Sequence, residues 1–481
     1  MRKPIITSFC LIVFCLFSAC EKREIEEKKL PNIVFIMADD LGYGDLGSYN
    51  ADSKIPTPNI DTLAARGMMF LDAHSPDAWC TPSRYGLMTG TYPARTKMDW
   101  RDRSIIGNNQ ETLATLLKRN GYNTAIVGKW HLGFDNFNWE NPRNIQILAG
   151  GPTQKGFDYF FGMHASLDIP PYFFIENGQV VEKATAVVED NYSEEATSTI
   201  SGAFWRGGAA APSFKHNQVL DKFESKAVEY IEEQSKSESP FFLYFPLTAP
   251  HTPWLPKEDF IGKSEAGEYG DFVVQVDQLV GNILATLKRK KITENTLVIF
   301  TSDNGPVWFE RDIEKFDHDS KLGLKGMKID RWEGGSRVPF IVSWSGHVPK
   351  GIQSNQLLCF TDMMATFAYL VGDTTFDKNA YDSYNLLPAM LNENFIEPIR
   401  KELLVGNKVY RQGDLKLIEG SGLGGLSKSF DPDSIYLSEE DNQGELYDLS
   451  TDVYEENNLY LSRPELVNQL RLGKKELSID K

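Results

Sequence analysis

Cysteine is scarce in this chain: there are five in 481 residues, and Cys10, Cys15 and Cys20 all fall at the very start. Cys80 and Cys359 remain for the folded part, too far apart to suggest a disulfide framework even in an oxidising compartment. Positive charge is also short, with 50 Lys and Arg against 67 Asp and Glu, a formal net charge of −17 and a pI near 5.0. That balance excludes a basic stripe able to neutralise phosphates, so no nucleic-acid partner is expected. An anionic ligand would have to be drawn by a local basic pocket rather than by the overall field. Internal repeats are absent, and low complexity is confined to the Gly/Ser patch GSGLGGLSKS at residues 420–429. Such a length still allows one large domain plus a smaller one.

Long apolar runs are limited to IITSFCLIVFCLFSA, which follows Arg2 and Lys3 and is short for a bilayer span. Ser18 and Ala19 directly before Cys20 resemble a bacterial lipoprotein cleavage box, with Phe17 where leucine is usual. The expectation is a signal peptide over 1–19, a lipid on Cys20 that holds the protein to a membrane, and a charged tether over 20–30. The protein is then an exported bacterial lipoprotein of the periplasm or cell surface.

What the chain has in quantity is an alternation of buried-strand and helix patterns. NIVFIMA (32–38) is a short, branched apolar run that fits a central parallel strand covered on both faces, and it ends in Asp39-Asp40. Open α/β sheets place ligands at such carboxyl ends. NTLVIFT (295–301) reads the same way and runs into Asp303-Asn304. Two carboxylates, a third and an amide make an all-oxygen ligand set for a hard cation, provided the two strands are neighbours. ETLATLLKRN has helical spacing and stops at Gly121; YNTAIVGKWHLG is a strand that would put Lys129 and His131 on one side if it stays extended. Residues 140–211 are irregular, aromatic and rich in Pro and Gly, which suggests loops over a site mouth. Amphipathic helices are expected at 219–236 and 269–290, the second with core spacing that needs no chemistry. The run LLCFTDMMATFAYLVG reads as a helix that closes the main domain and contains Cys359. After residue 391 the pattern turns to antiparallel strands joined at Gln412-Gly413-Asp414 and a last helix from Pro464.

The run SPDAWCTPSRYGLMTGTYPAR carries the most chemistry. Cys80-Thr81-Pro82-Ser83-Arg84, followed by Thr89-Gly90, resembles the C/S-x-P-x-R signature of the type I sulfatases within the alkaline phosphatase superfamily. The resemblance continues through LGYGDLGSYN, the Lys129-x-His131 pair, Ala249-Pro250-His251-Thr252-Pro253, Ser302-Asp303-Asn304-Gly305 and GLKGMKIDRWEGGSRVP, in family order. It implies an α/β fold: a large, central, mostly parallel sheet flanked by helices over 31–395, with a smaller antiparallel-sheet plus helix subdomain over 396–481.

It also implies roles. Cys80 would be oxidised to formylglycine by a maturation enzyme, giving a hydrate in which one hydroxyl attacks sulfur and the other later expels sulfate. Arg84 would orient that group near a helix start expected at about Ser83. Calcium would be held by Asp39, Asp40, the modified Cys80, Asp303 and Asn304. Lys129 and Lys328 would bind sulfate, with Lys325 where the family has arginine; His131 would take a proton and His251 give one to the leaving oxygen. Asp168, Trp205, Arg206 and His216 in the irregular segment are candidates for the sugar. The implied reaction is hydrolysis of sulfate esters of a glycan, with loops similar to those of enzymes for N-acetylgalactosamine or galactose 6-sulfate. Two alternatives stay open: a phosphonate monoester or phosphodiester hydrolase of the same superfamily, and a glycan-binding lipoprotein whose Cys80 is never converted.

Overall fold

The structure is a computed structural model that describes residues 29–101, 103–192, 201–377, 381–425 and 443–479. The expected signal peptide, Cys20 and most of the tether lie outside the described residues, as does part of the Gly/Ser patch. Among the described residues no helix is long and apolar enough to cross a membrane.

The centre is a ten-stranded sheet. Its middle holds five parallel strands in the spatial order Thr296–Ser302, Asn32–Asp39, Phe241–Pro250, Asn123–Lys129 and Tyr159–Met163. Asn32–Asp39 lies between its two partners with Ala38 beside Ser302, so the two acidic strand ends are adjacent. Ile33 to Ala38 have no exposed surface, which is why this segment is written in unbroken apolar residues rather than in alternation. Helices Val219–Gln234 and Gly267–Arg289 pack together on the strand Phe241–Pro250, and Pro58–Ala65 joins them. Helices Cys80–Thr89, Leu113–Arg119 and Asp362–Val371 form a second mutually packed group. Mixed edges complete the sheet: Phe340–Ser343 and Met68–Phe70 are antiparallel to their inner neighbours, as are Ile175–Glu176 and Gln179–Val180.

A separate four-stranded antiparallel sheet holds Glu402–Val405, Val409–Gln412, Leu415–Ile418 and Glu445–Asp448, covered by the helix Pro464–Ile479. Its own apolar cluster includes Leu403, Tyr410, Leu417, Leu446 and Leu470, and also takes in Trp332 from the main unit.

Three local expectations change. The helix after Trp79 starts at Cys80 itself, since Pro82 is tolerated within a first turn whose N–H groups have no partner anyway. Cys359 is in a two-residue strand paired with His74, three residues before the closing helix. The strand of Lys129 ends there, and His131 takes a left-handed φ of 56°, so extended geometry does not carry across the pair.

Candidate active site

The carboxyl ends of four adjacent parallel strands deliver the charged side chains. Asn32–Asp39 ends in Asp39 and Asp40, Thr296–Ser302 leads into Asp303 and Asn304, Asn123–Lys129 ends in Lys129, and Phe241–Pro250 is followed by His251. Asp40 turns the chain sharply with a left-handed φ of 63°. The turn is held on both sides: the Asp40 amide donates to Asp303 Oδ1 at 3.2 Å, and Leu41 N donates to Ser302 Oγ at 2.9 Å. Tyr269 Oη donates to the Asp40 carbonyl at 3.2 Å and also meets Asp45. The helix that carries Tyr269 therefore contributes to the site, although its periodicity reports only a core face. Only a tyrosine in the first turn of the helix could have signalled this.

Buried ion pairs organise the centre. Lys129 Nζ lies 2.6 Å from Asp39 Oδ2, Lys328 Nζ lies 2.7 Å from Asp40 Oδ2, and Arg84 donates from Nε and Nη2 to Asp303 Oδ2 at 3.0 and 2.7 Å. Arg84 also reaches the Lys129 carbonyl at 3.2 Å. Burial opposes ionisation of Asp39, yet Lys129, His251, Arg84 and Lys328 together hold its carboxyl well below the usual range. Burial and the Asp39 charge push Asp303 up to about 6 against the pull of Arg84. Lys328 is kept charged because Asp40 outweighs its burial. Lys325 turns away, with Nζ 3.2 Å from the Glu455 carbonyl and over the Trp332 ring, so Lys328 is the lysine of this loop at the site.

Cys80 sits at the first position of its helix, where free N–H groups favour anionic oxygen. Its Sγ is 3.6 Å from Asp39 Oδ1. Burial pushes the thiol up to about 12, so as a thiol it carries no nucleophilic anion at neutral pH.

The donor set fits a hard cation. Single ligand atoms of Asp39, Asp40, Cys80 and His251 lie within 4.8 Å of one another. Asn304 Nδ2 donates to Asp40 Oδ1 at 2.6 Å, which leaves its Oδ1 buried with no hydrogen-bond partner. An orphaned amide oxygen beside several carboxylates is what an oxygen-liganded ion such as calcium requires. A cysteine sulfur is the one soft atom in the group, and an oxygen at that position would match the rest.

The two histidines differ. His131 is buried against the edge of Trp100, with ring centroids 4.5 Å apart, and its Nδ1 has no partner. Burial, reinforced by Lys129 and Arg84, lowers its pKa well below the usual value and keeps the ring neutral. His251 Nδ1 donates to the Thr252 carbonyl at 2.6 Å, which leaves Nε2 facing Asp40 Oδ2 at 3.6 Å.

The four candidates for sugar contact separate into two pairs. Asp168 Oδ1 lies 4.0 Å from His251 Nδ1, and Asp168 Oδ2 pairs with the half-exposed Arg206, so both stand at the centre's edge. Trp205 and His216 stack on each other at 4.4 Å, and His216 packs edge-on against Tyr172. Among the described residues no hydrogen bond or ion pair joins either of them to the charged centre; irregular loops carry no periodicity from which that orientation could be read.

The sulfatase family model matches residues 31–373. The chain is 33% identical to the N-acetylgalactosamine-6-O-sulfatase of Bacteroides thetaiotaomicron over 97% of its own length and 96% of that enzyme's. It is also 33% identical to the N-acetylgalactosamine-6-sulfatase of Rattus norvegicus, over 76% of this chain and 67% of the other. A solved structure from work on glycosaminoglycan metabolism by Bacteroides thetaiotaomicron superposes with a TM-score of 0.78 at 31% identity, covering 94% of this chain and 99% of that one.

Proposed function

The chain belongs to the sulfatase family and is a sulfuric ester hydrolase, and from that premise we propose that it removes sulfate from O-sulfated sugars of a glycan with a converted Cys80 and a bound calcium ion. The observation that carries this is the placement of Cys80 Sγ 3.6 Å from Asp39, inside a buried ring of Lys129, Lys328 and Arg84.

Formylglycine at position 80 would supply an oxygen nucleophile, and calcium held by Asp39, Asp40, Asp303 and Asn304 would offset the charge of the sulfate group. Lys129 and Lys328 bind sulfate oxygens, exchanging part of their contact with Asp39 and Asp40 for the substrate. Their fixed positions favour the charge that builds up as the ester bond breaks, without reorganisation at that moment. Arg84, forked on Asp303, keeps the nucleophile's side of the site in register. His131, neutral in the resting site, takes up a proton on a ring nitrogen. His251 acts in its imidazolium form: Nδ1–H stays on the Thr252 carbonyl and fixes the ring, the second proton passes from Nε2 to the leaving alcohol oxygen, and the ring is left neutral. Asp168 and Arg206 meet the sugar at the rim.

The sugar proposed is N-acetylgalactosamine or galactose 6-sulfate, on the strength of the Bacteroides and rat relatives' names and of the Asp168–Arg206 rim. A panel of sulfated sugars assayed beside an aryl sulfate and an aryl phosphodiester tests it. Release of sulfate from the 6-sulfated sugars is the expected result. Release only from 2-O- or 4-O-sulfated sugars overturns the sugar assignment, and faster turnover of the phosphodiester overturns the sulfate-ester reading of the physiological reaction. Mass spectrometry of the peptide holding Cys80 distinguishes an aldehyde, which implies action by a formylglycine-generating enzyme, from a thiol, which implies a binder.

We also propose export and membrane attachment through a lipid on Cys20, supported by the Ser18-Ala19-Cys20 pattern after an apolar run. Metabolic labelling with a fatty acid, lost in Cys20→Ala, tests it.

A further inference from the structure

We infer that Arg331 is a positioning residue, and that the C-terminal sheet acts through it to fix Lys328 over the sulfate site. This rests on the reading above, in which Lys328 binds sulfate. Lys328 is carried by a loop in an unrelaxed conformation: Gly326 has φ 77° and the β-branched Ile329 has φ 75°. A positive φ at isoleucine is an outlier that persists only when surroundings hold it. On the main-unit side the loop is held by Lys328 N to the Pro306 carbonyl at 2.9 Å, Ile329 N to the Ala78 carbonyl at 2.7 Å and Gly334 N to the Lys325 carbonyl at 2.8 Å, and within itself by Asp330 N to the Met327 carbonyl at 2.9 Å and Met327 N to Asp330 Oδ2 at 3.1 Å.

A further set of anchors, across the boundary between the two sheets, comes from the turn after Leu415–Ile418. Arg331 Nη1 donates to the Ser421 carbonyl at 2.6 Å and to the Leu423 carbonyl at 3.0 Å, while Arg331 N donates to the Gly422 carbonyl at 2.7 Å. Gly424 N donates to Asp330 Oδ1 at 2.7 Å. Behind them the fully buried Glu445 accepts from Trp332 Nε1 and from Gly422 N, each at 2.5 Å, so one carboxylate ties the loop's end to the turn. The two backbones lie almost in contact: a Cβ on Gly424 would stand 1.9 Å from the Ile329 carbonyl oxygen, and one on Gly422 would stand 2.2 Å from the Trp332 ring. One guanidinium nitrogen, Nη1, donates to both carbonyls, and its charge on a planar group makes those bonds strong and directed.

The consequence is that sulfate affinity depends on residues that never touch sulfate. The experiment uses the converted, calcium-loaded full chain and reads the inhibition constant of inorganic sulfate against an aryl sulfate, together with KM, kcat and Tm. Two variants attack the contact independently: Arg331→Met removes both side-chain bonds, and Gly424→Ala keeps every charge but drives a methyl group into Ile329. Displacement of Lys328 by even a fraction of an ångström is expected to raise the sulfate inhibition constant and KM by roughly 5–20-fold in both variants. Arg331→Lys, which keeps one donor, should restore part of the loss. A purely structural role would lower the active fraction, and so kcat, with the inhibition constant unmoved; that result overturns the inference. Lys328→Ala is the reference. If it raises the inhibition constant about tenfold while both positioning variants stay within about twofold, the clamp is wrong and the role of Lys328 stands. If Lys328→Ala leaves the constant unchanged, the role of Lys328 itself fails and the clamp with it.

Discussion

Lys129 Nζ lies 2.6 Å from Asp39 Oδ2, and neither side chain reaches solvent. Two charges buried this way are held by each other and by Arg84, whose Nη2 is 3.6 Å from the same oxygen. Removing one partner leaves the other uncompensated. Lys129→Met is therefore expected to destabilise the calcium-free protein by about 3–5 kcal/mol in denaturant unfolding. In the proposed site calcium would offer Asp39 another cation, so the deficit should shrink when the ion is added. An equal deficit with and without calcium would separate Asp39 from the ion site.

Unconverted Cys80 gives a pH prediction with a definite sign. Burial raises its thiol from 9.0 to about 12 despite Lys129 and Lys328. The folded protein keeps a proton that the unfolded chain releases above pH 9, so this contribution to stability is whole below that pH and is lost as pH climbs toward about 12. Between pH 8 and 10.5 the Tm of the unconverted protein should fall further than that of Cys80→Ser, which does not titrate. Parallel Tm curves for the two would show that position 80 is more open than its burial indicates.

For the histidines, the expected losses in kcat are about 10²–10⁴-fold for His131→Ala and His251→Ala. Leaving groups tell them apart. A nitrophenolate departs without a proton, so His251→Ala should be nearly harmless with nitrophenyl sulfate and severe with a sugar sulfate. His131→Ala should be severe with both. Equal losses for His251→Ala across leaving groups would remove it from proton donation.

Calcium binding can be read without any turnover. Adding the ion at about 100 times its Kd to the chelated protein should raise stability by about 2.7 kcal/mol. Asn304→Leu, which deletes the orphaned amide oxygen, should weaken the isotherm by about tenfold or more. An unchanged isotherm in that variant would mean that Asn304 Oδ1 is not a ligand.

Much of the architecture was legible because burial on both faces writes strands such as Asn32–Asp39 and Thr296–Ser302 as continuous branched apolar runs. Their acidic ends were legible too, since chemistry at strand ends interrupts that run abruptly. The helix start at Cys80 was missed because Ser83 and Pro82 look like start signals, whereas the observed cap, Trp79, makes no side-chain bond. The helix of Tyr269 was read as needing no chemistry because periodicity names the buried face of a helix and not what the tip of a side chain reaches. The separation of Trp205 and His216 from Asp168 and Arg206 depends on loop folding without a repeat. Ile329 shows the same limit: no residue pattern announces that isoleucine will be held at a positive φ.

The cradle of Asp39, Asp40, Asp303, Lys129 and His251 hangs from one row of strand ends, while Asp168 and Arg206 belong to the connecting chain above it, and the two are tied together: Asp168 Oδ1 lies 4.0 Å from His251 Nδ1, Thr252 Oγ1 donates to the Gly202 carbonyl at 2.8 Å, and His131 N donates to the His164 carbonyl at 3.0 Å. Rebuilding residues 164–216 therefore removes supports of His131 and His251 along with the rim. Chimeras that exchange only that segment between relatives should change sugar preference and turnover together, and a chimera with altered preference at undiminished kcat would show that the segment is separable from His131 and His251.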